Sequence, residues 1–227
     1  MTEEPNGSEI AEANVSRETL ASVFGADDER IAWAEGYVGL LSTIGIERGI
    51  IGPREVPRLW GRHILGSAVV EELIPEKADV VDVGSGGGLP GIPLAIARPD
   101  LWVTLVEPMQ RRVDFLGEVI AALGVPNVEV LRARADEVSP RGQSDVVVSR
   151  AVAPLGKLVG WCLPLARKGG VMLAIKGQGA ALEVKENAGL IKRAGGGKAE
   201  ILMCGESKLT DPVFTVPATV VRIERAR

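Results

Sequence analysis

Residues 79–93, Asp79-Val80-Val81-Asp82-Val83-Gly84-Ser85-Gly86-Gly87-Gly88-Leu89-Pro90-Gly91-Ile92-Pro93, constrain this chain more than any other stretch. A β-branched run ends at Asp82, five glycines follow within nine residues, and an apolar helical pattern opens near Ile92. That order predicts a strand, a tight turn and a helix N-terminus, which together bring backbone close to a nucleotide-like ligand. On the glycines alone, a dinucleotide-binding loop and a purely structural turn remain as alternatives.

Two acids narrow the choice. Asp82 stands just before the glycines, where a pyrophosphate would be repelled and an ammonium or sulfonium group would be attracted. A second apolar run, residues 101–106, ends in Glu107, about 20 residues beyond the glycines and placed to accept hydrogen bonds from ribose hydroxyls. Together they favour S-adenosylmethionine over a nicotinamide dinucleotide, with Asp82, Gly84, Gly86, Gly88 and Glu107 as cofactor-binding residues.

From Val80 onward strand and helix patterns alternate, which predicts an α/β fold with a mainly parallel sheet covered on both faces. Strands are expected at 80–83, 101–106, 128–131, 145–149 and 171–175, with helices at 92–97, 110–123, 155–166 and 180–194. Gly169-Gly170 reads as the link into the fifth strand, and Gly195-Gly196-Gly197 as a loop. Two last strands, near 199–204 and 219–223, form the antiparallel end of a seven-stranded sheet.

The chain has 227 residues and is 46% hydrophobic, enough to bury a substantial core. No run of 18 apolar residues and no signal-peptide pattern occurs, which predicts a soluble cytoplasmic protein. Cys162 and Cys204 lie in apolar surroundings without metal-ligand spacing and read as buried thiols; no metal is expected. His63 is the one histidine, so a histidine metal site or a Ser-His-Asp triad has little to draw on. The net charge is −4, but residues 1–30 alone carry −6, leaving +2 for the rest. An acidic tail thus masks a slightly basic body, which permits an RNA partner without requiring one.

Residues 1–15 are expected to be a disordered acidic tail. Residues 16–70 read as a helical cap, with Ser16 as an N-cap and a second helix opening at Asp27-Asp28-Glu29. Ile31, Ala34, Val38 and Leu41 share a face of that helix, widened by Trp33 and Tyr37 as core aromatics. Residues 71–227 form the remaining domain. Near the end of the cap, Pro57 fits the first turn of a helix on which Arg58 and Arg62 stack four residues apart. With Arg54 they suggest phosphate contact, although a solvated helix edge explains the spacing equally well. His63 is expected to be partly buried and satisfied.

Ligands of such sheets bind at the carboxyl ends of the strands. Those ends carry Asp82 and the glycines, Glu107, Arg134-Ala135-Asp136-Glu137, Ser149-Arg150 and Lys176. Ala135 and Asp136 suit the edge of an adenine, and Arg150 and Lys176 supply positive charge for a donor carboxylate or a substrate phosphate.

The run from Asp82 to Pro93 resembles the donor loop of the glucose-inhibited division protein B family, the small-subunit (16S) ribosomal RNA guanine-N7 methyltransferases. Further matching pieces follow in family order: Arg62-His63-Ile64-Leu65, Arg134-Ala135-Asp136-Glu137, Ser149-Arg150-Ala151-Val152-Ala153 and Ala174-Ile175-Lys176-Gly177-Gln178. The tract from Pro53 to Trp60 resembles the actinobacterial branch. The resemblance spans roughly residues 30–223. It departs at Gly66, where the family usually has Asp or Asn, and at Asp136, where it usually has Glu. It implies a class I, Rossmann-like methyltransferase that uses S-adenosylmethionine and acts on small-subunit rRNA, probed by Arg54, Arg58, Arg62 and His63. By matching position, Gly84, Leu89, Ala135, Asp136 and Arg150 contact the methyl donor. From their charge and place at the strand ends, Arg150 and Lys176 are expected as the catalytic pair, organising the donor end or the guanine. A monomer is expected. Other readings of the same residues are a methyltransferase for small molecules or proteins, and a ribosome-assembly module without chemistry.

Overall fold

The computed structural model describes residues 15–150, 152–209 and 217–226 of the chain. The acidic tail expected over residues 1–15 lies outside them, save for residue 15.

Helix α1, Arg17–Phe24, starts where Ser16 Oγ accepts the Thr19 amide at 3.1 Å. Helix α2, Asp28–Ser42, starts where Asp27 accepts the Glu29 amide at 3.0 Å. Each side chain satisfies an N–H that has no partner within its helix. α2 buries Ile31, Ala34, Tyr37 and Leu41, with Trp33 and Val38 at the flank. The apolar face is therefore centred on Tyr37 rather than Val38.

After the short α3, Ile44–Glu47, regular helix is lost. A 3₁₀ segment, Pro53–Arg58, leads into a π-helical segment, Leu59–Leu65, then α4, Gly66–Ala68, and a second 3₁₀ segment, Val69–Leu73. The expected single helix from Pro57 does not form. Pro53 and Pro57 bring no amide hydrogen to the first segment, and the Gly66 amide bonds back five residues to the Gly61 carbonyl, the π pattern. Arg58 and Arg62 thus sit on different kinds of turn. Instead of stacking on a helix face, they converge on Glu55, at 3.7 and 3.6 Å.

The sheet comprises β1 Asp79–Val83, β2 Trp102–Val106, β3 Val128–Leu131, β4 Ser144–Arg150, β5 Ala166–Lys176, β6 Gly196–Cys204 and β7 Ala218–Arg225, in the order β3-β2-β1-β4-β5-β7-β6. The first five strands are parallel, and β7 runs antiparallel between β5 and β6. The intervening helices are α5 Gly91–Ala97, α6 Gln110–Leu123, α7 Leu155–Cys162 and α8 Ala180–Arg193.

Side-chain alternation divides the core. Val80, Val103, Leu105, Val146 and Val148 pack beneath α1, α2, α5 and α6. Val81, Val83, Val106, Val147 and Met172 pack against α7 and α8. Both cysteines are buried and free.

Two boundaries differ from expectation. α7 stops at Cys162, because the fifth strand begins at Ala166 and runs through Gly169-Gly170 instead of after them. A Cβ on Gly170 would lie 2.8 Å from the Asp145 carbonyl, so glycine lets β5 pass β4 where their register slips. Likewise Gly196 and Gly197 belong to β6, not to a loop.

Candidate active site

The strand order reverses between β1 and β4, the switch point at which open α/β sheets bind ligands. A cleft of about 1230 Å³ opens there, at the carboxyl ends of β1, β2, β4 and β5.

Its floor is the turn after β1. The Gly84 and Ser85 amides donate to the Val106 carbonyl at 2.8 and 3.2 Å, and the Gly88 and Leu89 amides to the Ser85 carbonyl at 2.7 and 3.0 Å. Glu107, 1% exposed, clamps the turn from the end of β2. One carboxylate oxygen accepts the Gly86 amide and the other the Met109 amide, both at 3.0 Å. From above, Tyr37 of α2 donates to the Gly87 carbonyl at 2.6 Å. Burial raises the Tyr37 phenol well above its ordinary pKa, so it remains a donor.

The glycines have different duties. Gly86 has φ +60°, and a Cβ there would have no heavy atom nearer than 3.8 Å, so its outer side faces open cleft. Gly88, at φ +102°, is a packing position outside the cleft wall, where a Cβ would lie 2.4 Å from Ile92 and 2.9 Å from the Tyr37 hydroxyl.

Asp82 lies behind the turn and does not line the cleft. It is fully buried, its Oδ2 accepts the Gly91 amide at 3.0 Å at the start of α5, and its Oδ1 has no hydrogen-bond partner. Burial pushes its pKa up to about 7, against the pull of the Gly91 amide.

The opposite wall carries Arg150, at the end of β4. Its Nη1 donates to the His63 carbonyl at 2.9 Å and to Ser67 Oγ at 2.7 Å, and its Nη2 lies 3.0 Å from His63 Nδ1. Guanidinium has no acceptor, so Nδ1 must accept and the imidazole proton resides on Nε2. Nε2 then donates to Glu55 Oε2 at 2.7 Å. Burial lowers Arg150 to about 10, which still leaves it charged at neutral pH. Burial, then the Arg150 charge, lowers the pKa of His63 and keeps the ring neutral.

At the end of β5, Lys176 Nζ pairs with Glu183 of α8 at 2.9 Å and donates to the Ala153 carbonyl at 3.3 Å. Glu183 also accepts the Leu155 amide, at 2.6 Å.

The cleft therefore gathers Gly84, Gly86, Leu89, Glu107, Arg150, Lys176, Arg62 and His63 of the expected residues. Ala135 and Asp136 lie on the loop after β3 but not in the lining, and the Asp136 side chain is 62% exposed and paired with Arg134 at 3.4 Å. Arg54 and Arg58 are exposed outside the lining. Residues missed in the sequence are Tyr37, Glu55, Ser67, Arg112 and Glu183. Tyr37 and Ser67 act across gaps of 50 and 83 residues that leave no sequence signal. Glu55, Glu183 and Arg112, whose Nη1 lies 3.5 Å from Glu107, act on neighbours in the chain and carry only the signal of polarity near a motif.

The cleft fits the methyl donor inferred from the sequence. It has a glycine turn with space beyond Gly86, a buried carboxylate at the β2 end, and cationic side chains across from them.

Comparison with known proteins gives the same assignment from an independent direction. The family model for rRNA small subunit methyltransferase G (GidB) matches residues 30–210. The Ribosomal RNA small subunit methyltransferase G of Rhodococcus jostii is 53% identical over 225 residues, covering 98% of this chain and 95% of the relative. That of Thermobifida fusca is 49% identical over 212 residues, covering 93% of this chain and 88% of the relative. Among solved structures, a SAM-dependent methyltransferase from Aquifex aeolicus shares the fold, with a TM-score of 0.55 and 18% identity over 80% of this chain and 97% of that one.

Proposed function

The chain belongs to the rRNA small subunit methyltransferase G family, and on that premise we propose that it methylates N7 of one guanine in the decoding-region loop of 16S rRNA, with S-adenosylmethionine as donor. The observation that carries this is the convergence of the Gly84–Gly86 turn, Glu107, Arg150 and Lys176 on one cleft at the switch point.

The bound donor supplies a methyl carbon activated by a sulfonium. N7 of guanine already presents an in-plane lone pair and no proton, so the protein needs no general base. Its task is alignment in a water-poor cleft. Glu107 takes the Met109 amide on Oε1, and the Gly86 amide and Arg112 Nη1 (3.5 Å) on Oε2, so Oε1 retains a lone pair for a ribose hydroxyl. Gly84, Gly86 and Leu89 form the donor floor. Arg150 and Lys176 provide the charges that hold the donor end or the guanine. Asp82 and Gly88 support the floor from behind, and Ala135 and Asp136 are assigned to the adenine by family resemblance. Arg54, Arg58, Arg62 and His63 belong to the rRNA-facing side, where the arginines meet phosphates.

In this assignment residues 16–70 form a cap over the methyltransferase domain, 71–227, and the protein acts as a cytoplasmic monomer on rRNA or the small subunit. Among the described residues, no helix is long and apolar enough to cross a membrane.

The test uses isotopically labelled donor, purified protein, and small-subunit rRNA or subunits from a host lacking the modification. Label at one guanine, released by cleavage selective for 7-methylguanine, is the expected result. Donor binding without transfer to RNA would remove the substrate assignment and leave the donor site standing.

A further inference from the structure

The three groups Glu55, His63 and Arg150 come from a 3₁₀ segment, a π-helical segment and a strand end, yet they form one continuous hydrogen-bonded line into the cleft. We propose that Glu55 and His63 are positioning residues for the methyl transfer: Glu55 fixes the imidazole proton on Nε2, and Nδ1 thereby holds the Arg150 guanidinium at the cleft wall. The kinetic part of this inference rests on the function proposed above; the structural part does not.

The geometry determines the direction of every bond. Arg150 donates only, so His63 accepts from it; the ring's other nitrogen then donates, and the acceptor in reach is the Glu55 carboxylate. Ser67 Oγ and the His63 carbonyl take further Arg150 hydrogens, which leaves the guanidinium little freedom to rotate. The line also has an outer end. Glu55 is shared with Arg58 and Arg62, so a carboxylate that orients the cleft arginine also touches the two arginines assigned to RNA phosphate.

A protonated ring breaks this line, because Nδ1 becomes a second donor facing Arg150. The charges that act on His63 are Glu55 from the 3₁₀ segment, Arg150 from β4 and Arg62 from its own segment. Arg150 also feels Tyr37 of α2. Glu55 favours the imidazolium, whereas burial and the two arginines oppose it. Activity should therefore fall on the acid side as His63 takes up its proton. Removing the Glu55 charge while keeping an acceptor should shift that limb to lower pH.

The chain has a single histidine, so one imidazole accounts for the whole long-range ¹H–¹⁵N histidine spectrum of the untagged protein. The expected pattern is the Nε2–H tautomer with an acid midpoint below the ordinary histidine value. An Nδ1–H tautomer would overturn the proposal, and this measurement requires neither RNA nor turnover. In kinetics, Glu55→Ala should lower kcat about tenfold through misplacement of Arg150. Glu55→Gln, whose amide oxygen still accepts from Nε2, should recover most of that loss. Its acid limb should move down by about one pH unit or less. Full kcat in Glu55→Ala, or an unmoved limb in Glu55→Gln, would also overturn it. If the wild type itself transfers no methyl group to rRNA, the proposed function fails while the tautomer result stands.

Discussion

Tyr37 donates a 2.6 Å hydrogen bond to the carbonyl of Gly87, tying the second helix of the cap directly to the turn that floors the cleft. The two residues are 50 positions apart; Tyr37 is buried, and Gly87 is partly buried at the cleft lining. Tyr37→Phe keeps the ring in place but strands a carbonyl. It should lower stability by about 1–3 kcal/mol, a fall of roughly 2–4 °C in Tm per kcal/mol for a chain of this size. Donor affinity should fall as well, because the released carbonyl belongs to the binding turn. Calorimetric unfolding and donor titration check the two effects separately; an unchanged donor affinity would restrict Tyr37 to a packing role.

The turn glycines provide an internal contrast. Gly88→Ala forces a methyl group against Ile92 and the Tyr37 hydroxyl, so it should lose stability first. Gly86→Ala adds about 1–2 kcal/mol of left-handed backbone strain and projects its methyl group into open cleft. It should fold, and should bind the donor at least tenfold more weakly through lost close approach. Thermal unfolding paired with donor titration distinguishes them. The opposite pattern would mean that the donor approaches Gly88 rather than Gly86.

Much of this was legible because local signals agreed. Ser16 and Asp27 cap their helices as their side-chain chemistry requires, and α6 fills the span between its periodic start and Gly124. The apolar run 155–166 misled because apolar residues fit a buried helix and a buried strand equally, and Ala166 belongs to the strand. The direction of Asp82 was readable and missed. It is two residues beyond Val80, so strand alternation turns it toward the same buried face, under the cap, rather than into the cleft. The Arg150–His63 contact had no comparable signal. It depends on how segments 87 residues apart cross, which no local pattern encodes.

Arg150→Ala should abolish methylation and leave the fold intact, since the sheet register around β4 rests on backbone bonds and on Val146, Val147 and Val148. Arg150→Lys should rescue poorly. A single ammonium cannot reproduce a planar fork that spans Ser67, the His63 carbonyl and Nδ1 together. Single-turnover methylation beside a far-UV spectrum checks both variants, and near-normal turnover in either would remove Arg150 from its assigned role.

Arg58 and Arg62 are more than half exposed, and each is held by Glu55 at a loose distance. Such ion pairs contribute little to stability, so the double substitution to alanine should leave Tm nearly unchanged. If both meet phosphate, RNA affinity should fall and the slope of log K against log salt should flatten by about 1.5 units. Binding titrations across a salt series measure it. An unchanged slope would return the two arginines to an ordinary solvated surface.

Asp82 sets a pH signature that runs opposite to that of most carboxylates. Its folded pKa is raised from 3.8 to about 7 by burial, with Oδ1 unpartnered. Between those values the folded protein holds a proton that the unfolded chain has released, so ν_U − ν_N is negative and stability falls as pH rises. Below about pH 4 both states are protonated and the penalty is absent; above about pH 7 it is fully expressed, at no more than roughly 4 kcal/mol. Asp82→Asn keeps an oxygen for the Gly91 amide and removes the ionisation. The difference in unfolding free energy, variant minus wild type, should therefore grow in the variant's favour from pH 5 to pH 8. Denaturant titrations at several pH values measure that difference directly and cancel the other carboxylates, including Asp100, which its Arg98 partner holds far below the usual range. A difference that is flat with pH would show that Asp82 is already ionised in the folded protein and that its buried Oδ1 is satisfied.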